Sequence, residues 1–206
     1  MVGKIFAFIV TAFLFSASPT RVILFFGDSL TAGYGLSPEE AFPALVEKSF
    51  LKKGYNVKVV NAGLSGETSA GGLSRIDWIL RKPIDLFVLE LGANDGLRGL
   101  PIDQTRKNLQ SIIDKVKAKY PSCKIILAGM RVPPNMGKEY ATAFLTVYRD
   151  LAKKNNATLI PFLLEDVGGI EKLNQSDGIH PNIEGHKIVA ANVVRVLTPL
   201  LTSETK

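Results

Sequence analysis

Five short, nearly continuous apolar runs recur along this chain, each followed by a longer segment of helical periodicity, and this alternation constrains the fold more than any other feature. The runs fall at residues 21–26, 57–61, 86–91, 124–130 and 158–160. Most lack the polar alternation of a half-exposed strand, which suits strands buried on both faces of a sheet. Parallel strands need long crossover connections, and the intervening segments are helical in pattern. The expectation is an α/β fold with about five mostly parallel strands and helices on both faces. The first helix is predicted to start at Ser37-Pro38-Glu39-Glu40. There Ser37 caps, Pro38 takes the first helical position and Glu40 completes a capping box ahead of Phe42, Leu45 and Val46, with Gly54 ending the helix. Further helices are predicted over 68–80, 102–120, 139–155 and 182–201, the last with an apolar face of Ile188, Val189, Val193 and Val196 interrupted by Asn192. With 206 residues, 46% of them hydrophobic, the chain can bury one full core, and no repeat or Pro/Gly-rich linker divides residues 19–206.

The amino terminus reads differently. Lys4 precedes an uncharged, almost wholly apolar stretch over 5–15, and Ser16-Ala17-Ser18 then supplies small residues at the spacing of a signal-peptidase site. Residues 1–18 are therefore expected to be a signal peptide on an exported protein, periplasmic or secreted. The uncharged run from Ile5 stops at Arg21, short of the about 20 apolar residues that span a bilayer. The lone cysteine, Cys123, rules out an intrachain disulfide and a cysteine-based zinc site, and it is expected to be an inert structural thiol. The net charge of +6 is spread without a block of like charges. That balance points to no nucleic-acid partner and at most peripheral contact with anionic lipid surfaces, and no exposed apolar stripe compels an oligomer.

In an open α/β sheet, ligands bind beyond the carboxyl ends of the strands. Three loops at those ends and one near the carboxyl terminus carry unusual residues: Gly27-Asp28-Ser29-Leu30, Asn61-Ala62-Gly63-Leu64-Ser65-Gly66-Glu67-Thr68, Gly92-Ala93-Asn94-Asp95-Gly96 and Ser176-Asp177-Gly178-Ile179-His180-Pro181. A serine hydroxyl is a weak nucleophile until a histidine takes its proton, and a carboxylate must hold that histidine in the right tautomer. Ser29, His180 and Asp177 can divide those tasks, since a turn through Gly178 brings the carboxylate beside the imidazole and leaves the far ring nitrogen for Ser29. Acyl transfer also needs donors aimed at a developing oxyanion, for which the Ser29 and Gly66 N–H groups and the Asn94 amide are candidates.

Plainer readings cover the remaining residues. Asp28 and Asp95 are expected to order their loops rather than to form a metal or glycosidic carboxylate pair. His186 is expected to be a surface or packing residue, and Trp78 and Phe87 to be core. Gly33 and Gly35 begin a dinucleotide-like spacing that Pro38 breaks, and no Gly-Lys-Ser/Thr phosphate loop occurs.

Taken together the four segments resemble the four blocks of the SGNH hydrolases, also called GDSL esterases and lipases, and the family's Ser, Gly, Asn and His fall on Ser29, Gly66, Asn94 and His180. Its Asp falls on Asp177. The segments Glu90 through Gly99 and Met130-Arg131-Val132-Pro133-Pro134-Asn135 are similar to the bacterial periplasmic thioesterase and lysophospholipase branch of that family. The resemblance implies a flavodoxin-like, three-layer α/β/α fold and hydrolysis of fatty-acyl esters or thioesters through an acyl-serine intermediate. It implies no metal and no cofactor. It also implies a mobile loop beside the acyl chain at 130–137, making Met130, Pro133 and Pro134 substrate-binding candidates. Residues 167–175, with Gly168-Gly169 and a helical 170–173, depart from that branch. Two rival readings are a carbohydrate O-deacetylase on the same fold, which calls for a polar open site, and a binding protein without catalysis, which calls for a broken triad.

Overall fold

β-Branched and aromatic residues build the sheet. In the computed structural model, which describes residues 19–202, β1 (Arg21–Gly27), β2 (Val57–Gly63), β3 (Leu86–Glu90), β4 (Lys124–Ala128) and β5 (Thr158–Ile160) are all parallel, in the order β2-β1-β3-β4-β5. β3 is buried throughout, and β1 and β4 are buried after their first residues. β2 lies at an edge and is largely exposed, with Lys58, Val60 and Asn61 in solvent. Successive β1 residues point to opposite faces: Phe25 meets Phe42 edge-on, and Phe26 lies beneath the Arg75 guanidinium. The helices are α1 (Ser29–Ala32), α2 (Phe42–Lys52), α3 (Ser69–Ile79), α4 (Ala93–Leu97), α5 (Ile102–Lys119), α6 (Lys138–Asn155) and α7 (Ile183–Thr202). α2 packs with α7 on the Phe25 face, while α3, α5 and α6 cover the other, which makes the three layers that were expected. The predicted signal segment, residues 1–18, lies outside the described residues, and no helix among those described is long and apolar enough to cross a membrane.

Two expectations are corrected. The first long helix starts at Phe42, not at Pro38. Pro43 has no N–H to give to a preceding turn, and its ring would clash with the Glu39 carbonyl, so the helix can only begin around it. Only half of the Ser37–Glu40 capping box forms: Glu40 Oε2 accepts the Ser37 N–H, but Ser37 Oγ–H donates to the same oxygen and the Glu40 N–H goes to the Ser37 carbonyl, closing an isolated turn. Trp78 is 62% exposed rather than core. α3 buries Ser69, Gly72 and Ile76, and two residues beyond Ile76 the helix has turned about 200° away. Trp78 instead lies against the Arg81 guanidinium, 5.2 Å from its ring centroid.

Phe87 is fully buried, as expected. Cys123 is buried too, and burial, reinforced by Asp85, pushes its thiol up to about 12. His186 is a packing residue: it is 2% exposed, its Nδ1 accepts the Phe42 N–H at 3.0 Å, and burial lowers it to about 4. This has a consequence for acid stability. The unfolded chain takes up a proton on this residue at about 6.5 and the folded chain does not, so its contribution is intact above 6.5 and is lost as pH falls towards 4, about 3 kcal/mol in all. His186→Gln retains an acceptor for Phe42 but cannot be protonated. Urea unfolding from pH 7 to pH 4 is therefore expected to show a shallower loss for the variant than for the wild type; equal slopes would place the acid lability elsewhere.

Candidate active site

The strand order reverses between β1 and β3, which opens a crevice at their carboxyl ends. β1 delivers Ser29 there, and β3 delivers Asn94. Asp28 caps the short α1, its Oδ1 accepting the Leu30 N–H at 3.0 Å, so Ser29 is the first residue of the helix rather than its cap. Ser29 is 9% exposed, and its Oγ lies 2.9 Å from His180 Nε2. On the other side of the ring, His180 Nδ1 lies 2.7 Å from Asp177 Oδ2. A carboxylate only accepts, so Nδ1 carries the proton and Nε2 is left to accept the Ser29 hydroxyl.

Local hydrogen bonds shape the loop that carries Asp177 and His180. Gly178 adopts φ +74°, the left-handed turn the sequence required of it, and its N–H closes on the Gln175 carbonyl. Asp177 Oδ1 accepts the N–H groups of Ile179 and His180, each at 3.0 Å. Partial burial pushes the Asp177 carboxyl up, but the His180 and Ile179 hydrogen bonds and the nearby imidazole outweigh it and hold it at about 2. The Tyr34 ring packs 4.7 Å from the imidazole, and Gln175 Nε2 ties the Tyr34 carbonyl to this loop at 2.7 Å.

The oxyanion candidates converge on the same crevice. Neither the Ser29 nor the Gly66 N–H has an acceptor among the described residues, and both residues line the cleft. Gly66 holds φ +78°, a conformation that side chains resist. Its loop is clamped from three directions. Arg98 Nη2 donates to the Gly66 carbonyl at 3.0 Å, Asn94 Nδ2 donates to the Glu67 carbonyl at 3.1 Å, and Arg75 Nε donates to Glu67 Oε1 at 2.6 Å while its Nη2 reaches the Ala62 carbonyl at 2.8 Å. The second Asn94 amide proton goes to Asp28 Oδ2, also at 3.1 Å. Both Asn94 amide protons are thus engaged at ordinary hydrogen-bond distance, and an oxyanion would have to take one of them from its present acceptor.

Sequence reasoning missed Glu90. It is wholly buried under the Ser29 loop, where Oε2 accepts the Asp28 N–H at 3.1 Å and the Thr31 hydroxyl at 2.8 Å. Burial, with Asp28 beside it, pushes Glu90 well above the carboxylate range, and burial likewise raises Asp28 to about 6. A glutamate closing an otherwise apolar strand was the available signal. Asp28 and Asp95 both order their loops, as expected, and no group of three or more His, Cys, Asp or Glu among the described residues is arranged to hold a metal ion.

The catalytic candidates face a cleft of about 740 Å³. Its walls include Leu30, Tyr34, Leu97, Val132, Phe162 and Ile179, so it is chiefly apolar. Met130 and Pro133 line it as well; the side chain of Pro134 lies outside what is described. Residues 134–136 form one turn of 3-10 helix, as do 171–173.

A serine hydrogen-bonded to a carboxylate-held histidine, beside free backbone donors at the switch point of a parallel sheet, defines the class of serine acyl hydrolases. Comparison with known proteins names the family. Residues 25–188 match the GDSL-like lipase/acylhydrolase family. The chain is 43% identical to Esterase TesA of Pseudomonas aeruginosa over 88% of this chain and 90% of that protein, and 38% identical to Thioesterase 1/protease 1/lysophospholipase L1 of Escherichia coli over 93% and 90%. Among solved structures, the psychrotrophic esterase EstA from Pseudoalteromonas, inhibited by monoethylphosphonate, superposes with a TM-score of 0.83 at 32% identity, covering 89% of this chain and all of that one. The chain belongs to the GDSL-like lipase/acylhydrolase family.

Proposed function

We propose that this acyl hydrolase cleaves fatty-acyl esters and thioesters, with Ser29 as nucleophile, His180 as general base and acid, and Asp177 as the group that orients His180. The observation that carries the reading is the continuous path from Ser29 Oγ through His180 to Asp177, opening onto an apolar cleft. Ser29 Oγ attacks the acyl carbonyl as its proton passes to His180 Nε2. The Ser29 and Gly66 N–H groups and the Asn94 amide receive the negative oxygen. His180 then protonates the departing alcohol or thiol, leaving an acyl-serine, and water reverses these steps to release the fatty acid. The substrate class accords with the names of the relatives, an esterase and a thioesterase and lysophospholipase.

An apolar wall around Met130, Val132, Pro133 and Phe162 suits an alkyl chain better than a sugar, which disfavours the carbohydrate O-deacetylase reading. The intact serine–histidine–aspartate path disfavours a binding protein without catalysis. Export is proposed on the sequence of residues 1–18 alone, from Lys4, the apolar stretch and the small residues at 16–18. Kinetics on p-nitrophenyl acetate, octanoate and palmitate and on palmitoyl-CoA test the substrate class. Each buried methylene contributes about 0.8 kcal/mol at most, so kcat/KM is expected to rise by about 10-fold or more from acetate to octanoate. Turnover confined to acetate would return the protein to the deacetylase class.

A further inference from the structure

Asp95 adjoins Asn94, yet the chemistry above gives it no task. Its side chain is 2% exposed and turns away from the cleft into a buried polar network. Oδ2 accepts the Ser69 N–H at 2.8 Å, and Oδ1 accepts the Ser69 hydroxyl at 2.5 Å and the Thr105 hydroxyl at 3.1 Å. Ser69 Oγ in turn accepts from Asn108 Nδ2 at 3.0 Å, and Asn108 Oδ1 accepts from Gln104 Nε2 at 2.9 Å. Asp95 thus joins two segments far apart in sequence: α4, which carries Asn94, and the start of α3, three residues after Gly66.

We propose that Asp95 is a positioning residue for the oxyanion site, holding Ser69 so as to set the separation between the Gly66 N–H and the Asn94 amide. This rests on the reading of Gly66 and Asn94 as oxyanion donors. The other links between the two loops are poor substitutes. One uses the Asn94 amide itself, a proton the oxyanion needs, and another uses Arg98 at the exposed rim. Asp95 accepts three hydrogen bonds in a buried setting, and it does so without drawing on any donor that faces the cleft. Because two donors must meet one oxygen within hydrogen-bond reach, a shift of some tenths of an ångström between the loops weakens transition-state binding before it weakens substrate binding.

Asp95→Asn keeps one oxygen for the Ser69 N–H but sets a neutral NH2 against the Ser69 and Thr105 hydroxyls, which must turn to accept and leave their own protons without the carboxylate, so weaker neutral bonds replace the charge-assisted ones that tie the loops. The expected result on p-nitrophenyl octanoate is a fall in kcat of about 10- to 100-fold with KM within about twofold of wild type. Octylboronic acid, which adds Ser29 Oγ to give a tetrahedral anion, is expected to lose affinity in parallel with kcat/KM. Octanol, which fills the cleft without an oxyanion, is expected to bind as before. Equal losses for boronate and octanol would mean a general structural role and overturn the inference, as would an unchanged kcat. Where Asp95→Asn fails to fold, Ser69→Ala removes the hydroxyl with its bonds to Asp95 and Asn108, keeps the Ser69 N–H link, and is expected to give the same pattern with a severalfold fall in kcat; unchanged kcat in that variant also overturns it. Asn94→Ala, measured in parallel, separates the two readings. If Asn94→Ala is crippled while Asp95→Asn is silent, only the positioning role falls; if Asn94→Ala keeps its kcat, the oxyanion reading falls and takes this inference with it.

Discussion

Ser29→Ala is expected to lower kcat on p-nitrophenyl octanoate by about 10⁴-fold or more while the protein stays folded. The size follows from the absence of any substitute. His180 Nε2 has Ser29 Oγ as its partner at 2.9 Å, and removing that oxygen leaves only an unactivated water to attack the carbonyl. Folding should survive, because Ser29 contributes no side-chain hydrogen bond to the core; Asp28 caps α1, and Glu90 holds the loop from beneath. The same variant is expected to lose covalent labelling by a fluorophosphonate, read by intact-protein mass. Retained turnover, or a label mapped to another residue, would remove the nucleophile assignment.

The second largest effect is expected at Asp177. Asp177→Asn keeps the shape of the side chain but offers His180 Nδ1 an amide that can equally donate, which favours the tautomer whose Nε2 bears the proton. That tautomer cannot accept from Ser29. A fall in kcat of about 10²- to 10⁴-fold is expected, with KM little changed because Asp177 does not line the cleft. The pH dependence adds a separate check. With its pKa lowered to about 2, Asp177 stays ionised through the range in which an esterase is assayed, so the acid limb of the wild-type kcat profile belongs to another group. An unchanged rate for Asp177→Asn would exclude it from the proposed machinery.

The parts of this site that could be read in the sequence share one property: their chemistry is tied to residue type at short spacing. Asp177 and His180 lie three residues apart with Gly178 between them, and the φ of +74° at that glycine is what lets one loop present both side chains. Ser29 and Asn94 each sit just beyond a strand whose buried apolar run marks its end, and Gly66 lies in the loop after the edge strand β2. What was misread depended on neighbours. Ser37 and Glu40 form half the contacts of a helix start, but Pro43 moves the helix to Phe42. Trp78 has the side chain of a core residue on the outer face of a helix whose inner face is set by Gly72 and Ile76.

Local pattern and residue chemistry thus sufficed for the layered fold and the strands, and for naming the serine, histidine and aspartate of the candidate site, because apolar periodicity and the relevant residue types are written within a few residues of one another. Only the tertiary structure decided that Ser29 Oγ and His180 Nε2, 151 residues apart, come within 2.9 Å. Only there does Glu90 lie beneath the Ser29 loop, and only there does Asp95 reach Ser69 across 26 residues to join the two loops of the proposed oxyanion site. Buried polar groups must find partners wherever the packed chain places them, and that choice is made by the packing of the sheet and helices as a whole, which no local pattern encodes.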